Sequence, residues 1–252
     1  MSTTIIDFTG ENYIVTGASS GMGKEIAISL AVKGAKVLAI GRNIERLEQT
    51  RTMCFSNIEI ASIDVCDEVA MELTVKEFVT KYGKLKGAVH CAGIEGFSPI
   101  RVFDRKLANK IMDISFWGGI NVAQIVNKKK YSLAGCSTVL FSSIASKTGK
   151  KMLFAYSASK AALNIAVKSI AKEISGDKKR INTVLPGWVK TNMTEQAICN
   201  VDIQQSIFNQ HLLGLGTPND VCNAVLFLLS DSASWITGTN FVVDGGYLAG
   251  AE

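Results

Sequence analysis

Seven short runs rich in β-branched residues recur along the chain, separated for the most part by longer stretches with helical spacing. The runs are YIVT (13–16), KVLAI (36–40), IEIASI (58–63), KGAVHC (86–91), STVLFS (137–142), RINTVL (180–185) and NFVVD (240–244). Helix-patterned segments occupy 21–33, 44–52, 67–82, 103–127, 155–175 and 218–230. Strands separated by helices build right-handed crossovers, and these force a parallel sheet with helices packed on its faces. The predicted fold is therefore α/β: a three-layer, doubly wound, Rossmann-like parallel sheet of seven strands in a single domain. With 252 residues, 47% of them hydrophobic, the chain can bury one core of that size.

Composition narrows the function. Against 22 acidic residues stand 27 basic ones, a net charge of +5. That mild excess suits an acidic cofactor or acyl carrier and lacks the arginine stripe of a nucleic-acid binder. Cysteines at 54, 66, 91, 136, 199 and 222 are scattered without a C-x-x-C pair. They read as reduced thiols in a cytoplasmic protein, with neither disulfide nor metal site. The opening MSTTIIDFTGE is not patterned as a signal peptide, and no apolar run is long enough to span a membrane.

The first strand runs directly into TGASSGMGKEIA (16–27). There Gly17, Gly21 and Gly23 form a turn free of Cβ atoms, so that a phosphate can approach backbone N–H groups at the positive end of a helix. The second strand ends in Gly41-Arg42-Asn43. A site for NAD normally places an acid there for the ribose 2′-OH. Arginine suits a 2′-phosphate and hence NADP(H), the alternative being a solvated loop charge. Asp64 closes the third strand, where it can meet an adenine amino group. In AYSASKAAL (155–163), Tyr156 and Lys160 share one helix face. Packing alone explains such a pair. Chemistry explains it too, because a nearby ammonium lowers a phenol's pKa from about 10 and readies it for proton transfer.

Taken together, these features resemble the short-chain dehydrogenase/reductase family, most of all the branch holding 3-oxoacyl-carrier-protein reductases, tropinone reductases and hydroxysteroid dehydrogenases. The resemblance spans nearly the whole chain, through TGASSGMG (16–23), CAG (91–93), SS (142–143), YSASK (156–160), LPGWVKT (185–191) and TGTNFVVDGG (237–246). It implies an oxidoreductase that uses NADP(H) to reduce a ketone or aldehyde, 3-oxoacyl thioesters included, to an alcohol. Tyr156 is then the general acid, Lys160 lowers its pKa and holds the nicotinamide ribose, and Ser143 hydrogen-bonds the substrate carbonyl. Strand alternation turns Ser142 the other way. Ser19, Ser20 and Met22 join the glycine turn, Asn43 joins Arg42, and Val65 joins Asp64. Cys91, Ala92 and Gly93 leave room for the cofactor, whose nicotinamide end meets Pro186, Gly187, Val189 and Thr191.

Two positions depart from the family's pattern. Its Asn-Asn-Ala-Gly reads His90-Cys91-Ala92-Gly93, with His90 expected to form a wall through its backbone. Its helical Asn is Ser115, within KIMDISFWGG (110–119). A role for the backbone carbonyl survives that exchange, whereas a helix irregularity supported by the Asn side chain need not. Restoring Asn at Ser115 is therefore expected to raise the rate. The substrate is expected among Glu95, Phe97, Met152, Phe154 and Trp188, beneath a helical lid at 192–214 that carries Met193, Ile198 and Phe208. So apolar a set suits an acyl chain, a terpenoid or a steroid. Lys147, Lys150 and Lys151 at its mouth read as solvated charges. A homo-oligomer, tetramer or dimer, is expected from the resemblance and from Ala158, Ala161, Ala162 and Ala166, small residues that allow close helix contact. The rival readings are a non-catalytic dinucleotide-binding sensor or scaffold and an NAD-dependent alcohol dehydrogenase.

Overall fold

The computed structural model describes residues 6–191, 194, 205 and 208–250. Seven strands, β1 (Asn12–Thr16), β2 (Lys36–Gly41), β3 (Ile58–Ser62), β4 (Leu85–His90), β5 (Ser132–Phe141), β6 (Arg180–Pro186) and β7 (Asn240–Val243), form one sheet in the order β3-β2-β1-β4-β5-β6-β7. Every pairing is parallel. All seven match the runs read from sequence. β5 starts five residues before its predicted run, because Ser132 pairs with Leu85 ahead of a register shift in the ladder. The intervening Leu-Ala-Gly carries no strand signal of its own.

Helices α1 (Gly21–Val32), α2 (Ile44–Arg51), α3 (Glu68–Tyr82), α4 (Arg105–Met112), α5 (Gly118–Asn127), α6 (Ala145–Thr148), α7 (Phe154–Ile174) and α8 (Pro218–Leu229) cover the sheet. Alternation along β1 divides the core. Tyr13 and Val15 pack with residues of α1 and α8, while Ile14 joins residues of α3 and α5 on the opposite face. A fully buried valine such as Val15 contributes about 1.5–3 kcal/mol.

The segment 103–127 is not one helix. α4 passes into a π-helical turn at Asp113–Trp117 before α5 begins at Gly118. The helix is pressed against the sheet there. A Cβ on Gly118 would lie 2.8 Å from Val65, and one on Gly119 would lie 3.2 Å from the His90 ring. The π turn is present although Ser115, at its centre, carries no amide to support it.

Candidate active site

Strand order reverses between β1 and β4, and the chains leaving these two strands diverge and open a crevice at the carboxyl edge. Thr16 and His90 are register partners at the two strand ends. Gly17 follows at φ +69°, where a Cβ would sit 2.7 Å from the Ala92 nitrogen. Gly23 is tighter still: its Cβ would come within 2.4 Å of the Gly17 carbonyl oxygen. These glycines let α1 start directly under the strand end. Its N-cap, Ser20, makes no side-chain cap bond, and no acid lies in the first turn. The first N–H groups of α1 thus point to an anion site.

The resulting cleft has a volume of about 310 Å³. Gly17, Ser19, Ser20, Gly21, Met22 and Gly23 form its floor, with Cys91, Ala92 and Gly93 beyond them. Arg42, Asn43, Asp64 and Val65 line one end, and Thr191 closes the other. Arg46 lines it as well, a residue the sequence reading missed. Arg42 precedes the N-cap Asn43 and Arg46 lies in the first turn of α2, so the start of this helix brings two arginines to one edge. The Asn43 side chain caps α2 by accepting the Arg46 N–H at 2.7 Å. Neither arginine side chain has a carboxylate partner among the described residues. An open helix start for a diphosphate and two free guanidiniums for another phosphate fit a dinucleotide.

Beside this cleft, α7 presents Tyr156 and Lys160 one turn apart. Lys160 is 3% exposed, and its ammonium donates to the Phe141 carbonyl at 2.8 Å. It lies 5.7 Å from the centre of the Tyr156 ring. Burial pushes the Tyr156 phenol up to about 12, the Ser143 hydroxyl opposes this through a hydrogen bond, and the Glu95 carboxylate adds to the rise. The lowering expected from Lys160 is not seen here: desolvation dominates the phenol, and Lys160, whose own burial holds it at about 8, is not among the groups that shift it. Ser142 is turned away, its hydroxyl donating to the Lys160 carbonyl at 3.0 Å.

Ser115 is fully buried, and its hydroxyl has no hydrogen-bond partner. A Cβ at Gly93 would meet Lys160 Nζ at 3.3 Å and Ser115 Oγ at 3.4 Å, so both side chains converge on one point of the cleft wall. His90 does more than lend a backbone. Its ring is fully buried, Nδ1 lies 2.9 Å from Thr16 Oγ1, and Nε2 makes no hydrogen bond of good geometry. Burial, with the Lys160 ammonium second, drives its pKa down to about 3.

A second cavity of about 100 Å³ opens at Tyr156 and Ser143. Glu95 and Trp188 line it as expected, and Pro186, Gly187 and Val189, expected at the nicotinamide end of the dinucleotide site, line this cavity and not the larger cleft. Phe97, Met152 and Phe154 do not. Phe97 is 68% exposed, Phe154 stacks on Phe103, and Met152 sits at a strained φ of 67° with its side chain turned outward. All three side chains are exposed, so the set expected to be apolar loses three of its members. Met193 and Ile198 lie outside the described residues, as does most of 192–214, while Phe208 is half exposed and packs on Gly214. Lys150, Thr148, Thr194 and Tyr247 line the cavity instead. Lys147 and Lys151 are exposed, but Lys150 is half-buried with its ammonium 3.6 Å from the centre of the Trp188 ring. The Trp188 backbone is itself fixed, its main-chain N–H donating to His211 Nε2 at 3.1 Å. Met22 and Thr191 line both compartments.

Comparison with known proteins points the same way. The family model described as enoyl-(acyl carrier protein) reductase matches residues 17–248. L-xylulose reductase of Caenorhabditis elegans is 33% identical, the match covering 96% of this chain and 97% of the relative. D-erythrulose reductase of Gallus gallus is 32% identical over 96% and 98%. The 3-oxoacyl-acyl-carrier-protein reductase of Rickettsia conorii is 34% identical over 97% and 99%. A short-chain type dehydrogenase/reductase structure from Mycobacterium ulcerans superposes with a TM-score of 0.92 at 28% identity, over 97% of this chain and 92% of that one. With the switch-point cleft, the glycine turn and the Ser143–Tyr156–Lys160 cluster already in place, these matches make the chain a member of the short-chain dehydrogenase/reductase family.

Proposed function

We propose that this oxidoreductase reduces a ketone or aldehyde to an alcohol with NADPH. The observation that carries the reading is that Ser143 and Tyr156 together line the second cavity where it abuts the dinucleotide cleft. A nicotinamide bound in the cleft supplies the hydride. The chain supplies position and a proton. Ser143 and Tyr156 donate to the carbonyl oxygen as negative charge grows on it. Tyr156, protonated throughout the neutral range, passes its proton to that oxygen. Lys160 is held by Phe141 on the Tyr156 side of Gly93, and Ser115 faces the same point, so both are placed to support the proton's replacement. Arg42 and Arg46 favour the 2′-phosphate of NADPH. The reductase names of the L-xylulose, D-erythrulose and 3-oxoacyl relatives support reduction of a carbonyl. We read the protein further as a cytoplasmic homo-oligomer.

The test is consumption of NADPH and of NADH with a panel of ketones and 3-oxoacyl thioesters, Tyr156→Phe serving as control. Turnover is expected with NADPH, falling by about 10²–10⁴ in the variant. Tight NADPH binding without turnover on any compound would instead mark a dinucleotide sensor.

A further inference from the structure

The second cavity holds two charges of opposite sign that do not meet. Glu95 and Lys150 both line it, and each is half-buried. Each acts on the other across the cavity: the Lys150 ammonium pulls the Glu95 carboxyl down, and Glu95 pulls Lys150 up. Burial nevertheless prevails on both, leaving Lys150 at about 8. Neither side chain takes part in an ion pair or a hydrogen bond among the described residues. Lys150 is held by the Trp188 face, and Glu95 is near enough to Tyr156 to raise its pKa. A carboxylate acceptor and an ammonium donor thus stand apart, one of them beside the group that meets the substrate carbonyl.

We infer that the cavity is built for a short, neutral ketone bearing hydroxyl groups on the carbons next to the carbonyl. Such a substrate donates one hydroxyl to Glu95 and accepts at another from Lys150, while Ser143 and Tyr156 hold its carbonyl oxygen. The hydroxyls of Thr148 and Tyr247 on the same wall offer further partners. A hydrocarbon or acyl chain would shield both charges from water and pair neither. An anionic substrate gains Lys150 but faces the Glu95 carboxylate, and a cation meets the reverse. The inference rests on the reductase reading for its chemistry but not for its binding geometry.

The test pairs 1,3-dihydroxyacetone with 3-pentanone, in which methyl groups replace the hydroxyls, and adds 2-oxobutanoate and a 3-oxobutanoyl thioester. Two quantities are read: kcat/KM with NADPH, and Kd for the Tyr156→Phe protein with NADP⁺ by tryptophan fluorescence, which needs no turnover. The hydroxylated ketone should win by at least about tenfold in both, since a site built around polar groups rejects analogues that leave them unpaired. Glu95→Gln and Lys150→Met, each checked for folding by its melting temperature, should bring the ratio below about threefold. A ratio near one in wild type, a ratio untouched by both substitutions, or preference for the oxoacid or the thioester would overturn the inference. Absent turnover with a tenfold Kd preference retained would sink the reductase reading and leave the hydroxyl site standing.

Discussion

At the scale of single residues, burial sets the charge state of the site. His90 shows the consequence for stability. Its ordinary pKa of 6.5 drops to about 3 in the folded protein, with desolvation the main cause and the Lys160 ammonium second. Above pH 6.5 the ring is neutral in both states and adds no slope. As pH falls from 6.5 toward 3, the unfolded ring takes a proton that the buried one refuses, so stability falls. The slope from this one group reaches about 1.4 kcal/mol per pH unit. His90→Asn should remove it. Urea unfolding of both proteins between pH 7 and pH 4 reads the effect as a stability difference that shrinks on acidification. A constant difference would mean that the ring titrates normally in the fold. Sequence could flag His90 only as an oddity beside Cys91, because its burial depends on Thr16 and the glycine pair Gly118-Gly119 from other elements. Tyr156 and Lys160 were legible, since a fixed step on a helix places them whatever else the fold does. The desolvation that dominates both groups was not, because burial depth is a property of the assembled chain.

At the scale of elements, the β1–α1 junction has the least freedom. A methyl group at Gly23 would run into the Gly17 carbonyl, a backbone atom that cannot rotate aside. Gly23→Ala should cost about 1–3 kcal/mol in denaturant unfolding and weaken NADPH binding by an order of magnitude or more. Gly10, at φ +77° with open space around its Cβ position, is the contrast. Gly10→Ala should cost about 1–2 kcal/mol of backbone strain and leave NADPH affinity intact. Full affinity in Gly23→Ala would show that the close approach is dispensable. This junction was readable because a strand, three glycines and a helix follow one another in sequence. The π turn at Asp113–Trp117 was not, since five residues of π-helix carry the same apolar spacing as the α-helices around them. The substrate wall was read only in part. Glu95, Lys150 and Trp188 come from three loops and Tyr247 from a short 3-10 helix, and only the folded sheet decides which of their neighbours turn outward.

At the scale of the whole molecule, α7 also presents an outer face. Ala158 and Ile165 are exposed there, Ile165 by 64%, while Leu163 and Val167 on the inner face are fully buried. If copies associate through this face, Ile165→Glu should give a smaller species by light scattering, because a buried unpaired carboxylate costs several kcal/mol. An unchanged mass would place the contact elsewhere. The sheet also decides how the two compartments relate. They abut along Met22 and Thr191, so whatever fills the larger one becomes part of the wall of the smaller. On the proposed function, a carbonyl compound that entered without that occupant would find one side of its berth missing. Traffic through the protein is then expected to queue, the dinucleotide arriving first and leaving last.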